Sequence, residues 1–203
     1  MSKRVYISAD YSQLNGDCDV VSVLRSWGKD SLHKVDYVDT AQVVSGSVSN
    51  DPDCRACDLK AEFNAQINVS SVVVFVVGDK TSSRTAGSSC KRISEGKNCF
   101  CTPYKQNANG VSFCKIYGTL LPPDSDGDVG NINSFSYLEH EFRQAKKKDK
   151  VIIIVYNSFY NQYSWLPSYM IEYADVAKPF WIKDSCGNKI GNYKFIKEAL
   201  GYD

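Results

Sequence analysis

The stretches SVVVFVVG, residues 71–78, and KVIIIVYN, residues 150–157, decide the fold class. Both are nearly continuous runs of Val, Ile and Phe, without the alternation of apolar and polar residues that a half-exposed strand shows. A strand that is covered on both faces, as in a parallel sheet flanked by helices, has this pattern. We therefore predict that both stretches are interior strands of a parallel sheet.

Further strands alternate with helices around these two. Shorter apolar runs at 4–9, 35–38 and 178–182 predict three more strands. Apolar residues at helical spacing predict four helices: Val20, Val21, Leu24 and Trp27; Leu59, Phe63 and Ile67; Leu138, Phe142 and Ala145; Phe195, Ile196 and Leu200. Helices that join parallel strands are typical of a doubly wound α/β sheet. We predict one such domain over residues 1–203, with five mostly parallel strands.

Charge and hydropathy exclude several classes of partner. The 24 Lys and Arg residues nearly balance the 23 Asp and Glu residues, so nothing favours bulk binding to nucleic acid or to an anionic membrane. No segment approaches the roughly 18 apolar residues of a membrane span. The first residues, MSKRVYISADYS, lack the apolar core of a secretory signal. We expect a soluble, cytoplasmic protein without nucleic-acid or membrane partners.

Residues 82–133 do not fit the alternation of strands and helices. This segment is rich in Gly, Ser, Asn and Asp, whereas an ordinary connection has only about 2–6 residues. It follows the third predicted strand, at the edge where open α/β sheets bind ligands. We predict that it is a Cys-rich insertion within the domain.

Four of the eight cysteines lie in this insertion: Cys90, Cys99, Cys101 and Cys114. Because no secretory signal is present, we expect metal ligands or free thiols instead of disulfides. Four thiolates suffice for a tetrahedral, structural Zn²⁺, which would give the segment a core. Their spacing is not a standard zinc pattern, and free buried thiols are the alternative.

The stretch SYLEHEFRQA, residues 136–145, places two carboxylates at the start of a predicted helix. Ser136 and Glu139 have the S-x-x-E spacing of a capping box, which predicts that the Glu139 carboxylate binds the free N–H of Ser136. Glu141 borders the apolar stripe, while His140 is predicted to turn towards solvent. A glutamate in the first turn usually interacts only with the helix dipole, but Glu141 is also placed for a site at the sheet edge.

Three motifs in order resemble the TIR-like proteins of the bacterial Thoeris anti-phage systems. In that family a strand of the type TSVTVVLIG runs into a T-x-x-R turn and then into WVxYEI. Here the strand is 71–78, the turn contains Thr81 and Arg84, and the last motif is YLEHEF, residues 137–142. Glu141 falls on the glutamate of the family. The blocks KRVYISADY, LRSWGKD and DLKAEFNAQINVSS agree with the first strand, the end of the first helix and the second helix.

The chain departs from the family pattern at several positions. Tyr137 stands where Trp is usual, His140 where Tyr is common, and Asp10 where His is common. The insertion is also much longer than in compact members. These departures affect the details of the expected substrate pocket more than the expected fold.

The resemblance implies a flavodoxin-like, TIR-like fold and NAD⁺ as the substrate, with no cofactor required. The family cleaves the bond between nicotinamide and ribose, and the ADP-ribose is transferred to an acceptor or closes into a cyclic signal molecule. Nicotinamide leaves as a neutral molecule, so the second carboxyl group of a glycosidase is unnecessary. A single carboxylate, Glu141, then stabilises the oxocarbenium-like ribose electrostatically.

The remaining site residues are expected at the ends of strands and turns. The candidate substrate-binding residues are Ser8, Asp10, Tyr11, Asp39, Arg84 and Tyr137. Arg84 is placed to bind a pyrophosphate through charge-assisted hydrogen bonds, although a turn or capping role is the alternative for each residue. The resemblance also allows a homo-oligomer and an effector protein that responds to the nucleotide signal. The alternative function is a non-catalytic TIR-like module for protein interaction or ligand sensing.

Overall fold

The computed structural model describes residues 3–10, 17–29, 35–39, 48, 52–86 and 136–202. The α-helices are α1 (Asp17–Gly28), α2 (Pro52–Val69), α3 (Tyr137–Lys147) and α4 (Tyr193–Ala199). The strands are β1 (Lys3–Ser8), β2 (Val35–Asp39), β3 (Val72–Val77), β4 (Val151–Tyr156), β5 (Lys178–Pro179), β6 (Trp181–Lys183) and β7 (Lys189–Gly191). Within these ranges, short 3₁₀ helices lie at Thr81–Ser83, Tyr163–Trp165 and Ser168–Tyr173.

The main sheet has the strand order β2-β1-β3-β4-β5, and every neighbouring pair is parallel. The predicted α/β class with a mostly parallel sheet is therefore confirmed. Both decisive stretches lie inside the sheet, because β3 pairs with β1 and β4, and β4 pairs with β3 and β5. The order is compatible with a flavodoxin-like fold, in which ligands bind where the chain reverses its direction across the sheet.

The two faces of the sheet bury two separate apolar layers. All six residues of β3 are buried, and its side chains alternate between the layers, with Val74 in one and Phe75 in the other. One layer contains side chains of α1 and α4, and the other contains side chains of α2 and α3. Helices thus cover both faces, which explains why the sequence of β3 does not alternate.

The connection after β4 differs from the prediction. The predicted strand at 178–182 is split at Phe180: β5 joins the main sheet, and β6 forms an antiparallel hairpin with β7. The N–H of Phe180 donates to the carbonyl of Tyr156, while its carbonyl accepts from the N–H of Asn192. At Phe180 the backbone therefore leaves the main sheet, where it pairs with β4, and enters the hairpin of β6 and β7. Between β4 and β5 the chain forms two 3₁₀ helices, Tyr163–Trp165 and Ser168–Tyr173.

Only the first residues of the predicted insertion, 82–86, belong to the described part of the chain. The four candidate zinc ligands, Cys90, Cys99, Cys101 and Cys114, lie outside the described residues. Within the described ranges, no group of three or more His, Cys, Asp or Glu residues is arranged to hold a metal ion. None of the described helices is long and apolar enough to cross a membrane.

Candidate active site

A cleft of about 310 Å³ opens at the carboxyl edge of β1 and β3. Its lining comes from the end of β1, from α2, from the turn after β3 and from the start of α3, and it includes Asp10, Phe63, Arg84, Tyr137 and Glu141. This edge is the topological switch point of the sheet, since the chain continues from β1 to β2 on one side and β3 lies on the other. Open α/β sheets bind their ligands at this point.

Ser136 fixes the start of α3 beside the cleft. Its hydroxyl accepts a hydrogen bond from the N–H of Glu139 at 3.0 Å, so Ser136 is the N-cap of the helix. The predicted return contact, from the N–H of Ser136 to the Glu139 carboxylate, is not among the hydrogen bonds of the described residues. The Glu139 carboxylate accepts from Nε and Nη2 of Arg143, at 2.9 and 2.7 Å. Glu139 therefore pairs with Arg143 on its own helix and does not line the cleft, whereas Ser136 and Tyr137 do.

Glu141 lies much deeper than the sequence predicts, with only 2% of its surface exposed. Its Oε1 accepts a hydrogen bond from the Tyr6 hydroxyl at 2.8 Å, and its Oε2 accepts one from the Ser8 hydroxyl. Tyr6 and Ser8 are two residues apart on β1, so both side chains point to the same face of the sheet. The carboxyl group thus joins β1 to α3 at the base of the cleft.

Burial raises the pKa of Glu141 to about 8, while the hydrogen bonds from Ser8 and Tyr6 act in the opposite direction. Within the described part of the chain, Glu141 makes no ion pair that would offset its desolvation. At pH 7 the folded protein therefore holds most of this carboxyl group in its protonated form. A carboxyl with a pKa close to neutral and access to a cleft is a candidate for chemistry.

Asp10 and Arg84 form an ion pair in the lining of the cleft, with 2.6 Å between Oδ2 of Asp10 and Nε of Arg84. Their side chains are 20% and 40% exposed, respectively. Water screens a pair as exposed as this one, which makes its contribution to stability small. The guanidinium can therefore exchange a carboxylate partner for a phosphate at little energetic cost.

Aromatic side chains form one wall of the cleft. The rings of Phe63 on α2 and Tyr137 on α3 meet edge to face, with 5.8 Å between their centroids. Tyr137 is half-buried, and burial raises the pKa of its hydroxyl. Phe63 was predicted only as part of the apolar stripe of α2, and the structure places it at both the core and the cleft.

The prediction that His140 turns towards solvent is wrong, because the side chain is only 6% exposed. Its Nε2 lies 2.8 Å from Oδ1 of Asn64 and 3.2 Å from the carbonyl of Lys60, both on α2. Burial lowers the pKa of His140 to about 3, so the ring is neutral. The neutral ring carries its proton on Nε2, because two acceptors face that nitrogen. The prediction failed because α2 packs on a second face of α3, and the apolar stripe of α3 indicates only the face that packs on the sheet.

Asp17 is a second buried carboxyl at the same edge of the sheet, and sequence reasoning missed it. It lies in the first turn of α1 and is 2% exposed. Asn157 donates to its Oδ1 at 2.9 Å and accepts from Nε1 of Trp181 at 2.6 Å. Burial raises the pKa of Asp17 to about 7. A Cβ at Gly78 would lie 2.7 Å from Oδ1 of Asp17, so the backbone just after β3 is close to this carboxyl.

The predicted site residues fall into three groups. Asp10, Arg84, Tyr137 and Glu141 line the cleft together. Ser8 was predicted to bind substrate, but it is fully buried and its hydroxyl binds Glu141 instead. Tyr11 and the side chain of Asp39 lie outside the described residues.

Sequence reasoning also missed Tyr6. It lies between Val5 and Ile7 in β1, where a buried phenol needs a hydrogen-bond partner. That requirement was the available signal, and Glu141 meets it.

No family model matches the chain, and no curated protein or solved structure was found to be similar to it. The resemblance to Thoeris TIR-like proteins therefore rests on the motifs in the sequence.

Proposed function

We propose that this chain is a TIR-like enzyme that cleaves the nicotinamide–ribose bond of NAD⁺, with Glu141 as the catalytic carboxylate. The observation that carries the proposal is the position of Glu141: a buried carboxyl, held by two hydroxyls of β1, at the base of a cleft at the switch point of the sheet. The motif resemblance selects the same residue. We also assign a flavodoxin-like, TIR-like fold with a long insertion after β3.

The cleft suits the nicotinamide end of the dinucleotide. Its volume of about 310 Å³ is at the lower limit for ligand pockets, which accommodates a ring and a ribose but not the whole of NAD⁺. Phe63 and Tyr137 supply an apolar wall for the ring. The pyrophosphate then lies towards Arg84, which exchanges Asp10 for a phosphate and forms charge-assisted hydrogen bonds to it.

The chemistry uses the ionised form of Glu141. The nicotinamide ring of NAD⁺ is cationic, so its arrival beside the carboxyl favours ionisation and releases the proton to solvent. As the bond between ribose and nicotinamide breaks, its electron pair leaves with the ring, which departs neutral, and positive charge develops on the ribose. The Glu141 carboxylate stabilises this charge, and a low dielectric strengthens the interaction.

The fate of the ADP-ribose follows from the resemblance. Attack by water gives ADP-ribose, and attack by a hydroxyl or a nitrogen of the same molecule gives a cyclic isomer. We assign the product as an ADP-ribose-derived signal in anti-phage defence, read by an effector protein.

The deciding experiment measures nicotinamide released from NAD⁺ by the purified protein and by two variants. Glu141→Gln keeps the shape of the side chain and removes its charge, so we expect turnover to fall by about two orders of magnitude or more. Glu139→Gln is the matched control on the same helix, and it should retain activity. Equal activity in Glu141→Gln and wild type, or equal loss in both variants, would refute the assignment of Glu141.

A non-catalytic interaction module is the second candidate, because the segment between β4 and β5 exposes large side chains. Tyr160 is 75% exposed, Ile171 61% and Val176 58%. Exposed apolar patches are typical of protein-binding surfaces, and these three side chains belong to one segment of the chain. For this function, NAD⁺ stays intact with wild-type protein, and Glu141→Gln leaves partner binding unchanged.

A further inference from the structure

Tyr6 is one of the largest fully buried side chains of the molecule, and its hydroxyl contacts the candidate catalytic group directly. We propose that Tyr6 is a positioning residue, whose hydroxyl fixes the orientation of the Glu141 carboxyl group and favours its ionised form. The catalytic consequence rests on the proposed function, whereas the contact between the two side chains does not.

The geometry holds the carboxyl group from one side. Tyr6 binds Oε1 and Ser8 binds Oε2, so both oxygens of Glu141 are attached to the same strand. Rotation of the carboxyl group about its last bond would break both hydrogen bonds. The lone pairs that face away from β1 are therefore the ones available to a ligand in the cleft.

Hydroxyl groups suit this task because each of them both donates and accepts. When Glu141 is ionised, Tyr6 and Ser8 both donate to it. When Glu141 is protonated, its own O–H donates to one of the two hydroxyls, and the other hydroxyl continues to donate. The carboxyl group thus stays in place in either state. A hydrogen bond to a charged acceptor is stronger than one to a neutral acceptor, so the hydroxyls favour ionisation.

Other titratable or charged groups near Glu141 lie on the elements around it: Asp10 at the end of β1, Arg84 after β3, Tyr137 and Glu139 on α3, and Tyr169 on a 3₁₀ helix. On the α2 side, Phe63 lines the same cleft. Among the described contacts, only Tyr6 and Ser8 donate hydrogen bonds to Glu141. Removing the Tyr6 hydroxyl therefore tests one donor and leaves the surrounding charges in place.

The test compares Tyr6→Phe with Tyr156→Phe. Tyr156 is a matched control, because it is also fully buried and its hydroxyl has no hydrogen-bond partner among the described residues. The pKa of Glu141 is measured by carbon NMR on protein labelled with ¹³C at the glutamate carboxyl groups, and Glu141→Gln assigns the resonance. We expect Tyr6→Phe to raise the titration midpoint by on the order of one pH unit, and Tyr156→Phe to leave it unchanged.

The catalytic readout is the pH dependence of kcat/KM for nicotinamide release. Its rising limb should move to higher pH in Tyr6→Phe by the same amount as the NMR midpoint. A merely structural loss would lower activity equally at all pH values. If Tyr6→Phe does not fold, Ser8→Ala removes the second donor and should shift the midpoint in the same direction.

The inference is wrong if the titration midpoint of Glu141 is unchanged in folded Tyr6→Phe, or in Ser8→Ala where that variant replaces it. It is also wrong if Tyr156→Phe shifts the midpoint by the same amount. If the midpoint shifts but wild-type protein never cleaves NAD⁺, the role of Tyr6 stands and the proposed function fails.

Discussion

The burial of Glu141 predicts how the stability of the protein depends on pH, whatever the protein does. The pKa of this carboxyl is about 8 in the folded state against an ordinary value of 4.5. Between these values the folded protein keeps a proton that the unfolded chain has released, so stability falls as pH rises. The contribution of the protonated carboxyl is complete below pH 4.5 and is lost as pH rises through about 8.

Glu141→Gln isolates this contribution. The amide resembles the protonated carboxyl, since it carries a donor and an acceptor for Tyr6 and Ser8, but it cannot ionise. One pKa unit corresponds to about 1.4 kcal/mol, so the ionised carboxyl should destabilise the wild type by a few kcal/mol at pH 9. We expect the variant to be close to wild type at pH 5 and more stable than wild type by this amount at pH 9.

The assay is urea unfolding at intervals between pH 5 and pH 9, with the free energy of unfolding obtained by linear extrapolation. Glu139→Gln is the control on the same helix. It removes an i,i+4 ion pair with Arg143, which contributes about 0.3–0.5 kcal/mol, and a negative charge that acts on Lys60. If the free energy of unfolding depends on pH in the same way in wild type and Glu141→Gln, the carboxyl of Glu141 has the same pKa in the folded and unfolded states. In that case the burial argument is wrong, and the proton affinity inferred for the site is wrong with it.

Two further predictions concern the other buried titratable side chains. Burial raises the pKa of Asp17 to about 7, so Asp17→Asn should gain stability relative to wild type as pH rises from 5 to 8, measured by urea unfolding. An Asp17→Asn profile parallel to that of wild type contradicts this. Burial instead lowers the pKa of His140 to about 3, so its contribution is complete above pH 6.5 and is lost as pH falls towards 3. The melting temperature of wild type should therefore fall more steeply than that of His140→Gln between pH 7 and pH 4, and equal slopes would count against a buried neutral ring.

The sequence predicts the sheet well because its signal is local. The apolar runs that became β3 and β4 have few alternatives, because six residues without a charge favour a strand covered on both faces. β3 is buried throughout, and β4 is buried from Ile153 onwards. The strand at 178–182 had a weaker signal, and its break at Phe180 depends on hydrogen bonds to Tyr156 and Asn192 that no local pattern encodes.

The candidate site was predictable only in part, because its contacts join distant segments. The position of Glu141 followed from the start of α3 and from the motif, but its depth depends on Tyr6, which is 135 positions away in the chain. His140 was misplaced for a related reason. A helical wheel identifies the face that packs on the sheet, and it gives no information about α2 packing on a second face through Asn64.

Asp17 and Glu141 are both buried at the same edge of the sheet and both have raised pKa values. The pH dependence of stability alone does not distinguish them, but their surroundings assign them different roles. Asp17 lies against the backbone of Gly78, just after β3, and is linked through Asn157 to Trp181, so its hydrogen bonds connect α1 to the end of the sheet. Glu141 is also bound on one side, but it lines an open cleft. A ligand in that cleft can reach Glu141, whereas Asp17 is not part of the lining. Asp17→Asn should therefore gain stability relative to wild type as pH rises, and it should retain NAD⁺ cleavage. Glu141→Gln should also be more stable than wild type at high pH, but it should lose NAD⁺ cleavage. If folded Asp17→Asn does not cleave NAD⁺, then Asp17 is required for the reaction, and the mechanism proposed for Glu141 is wrong.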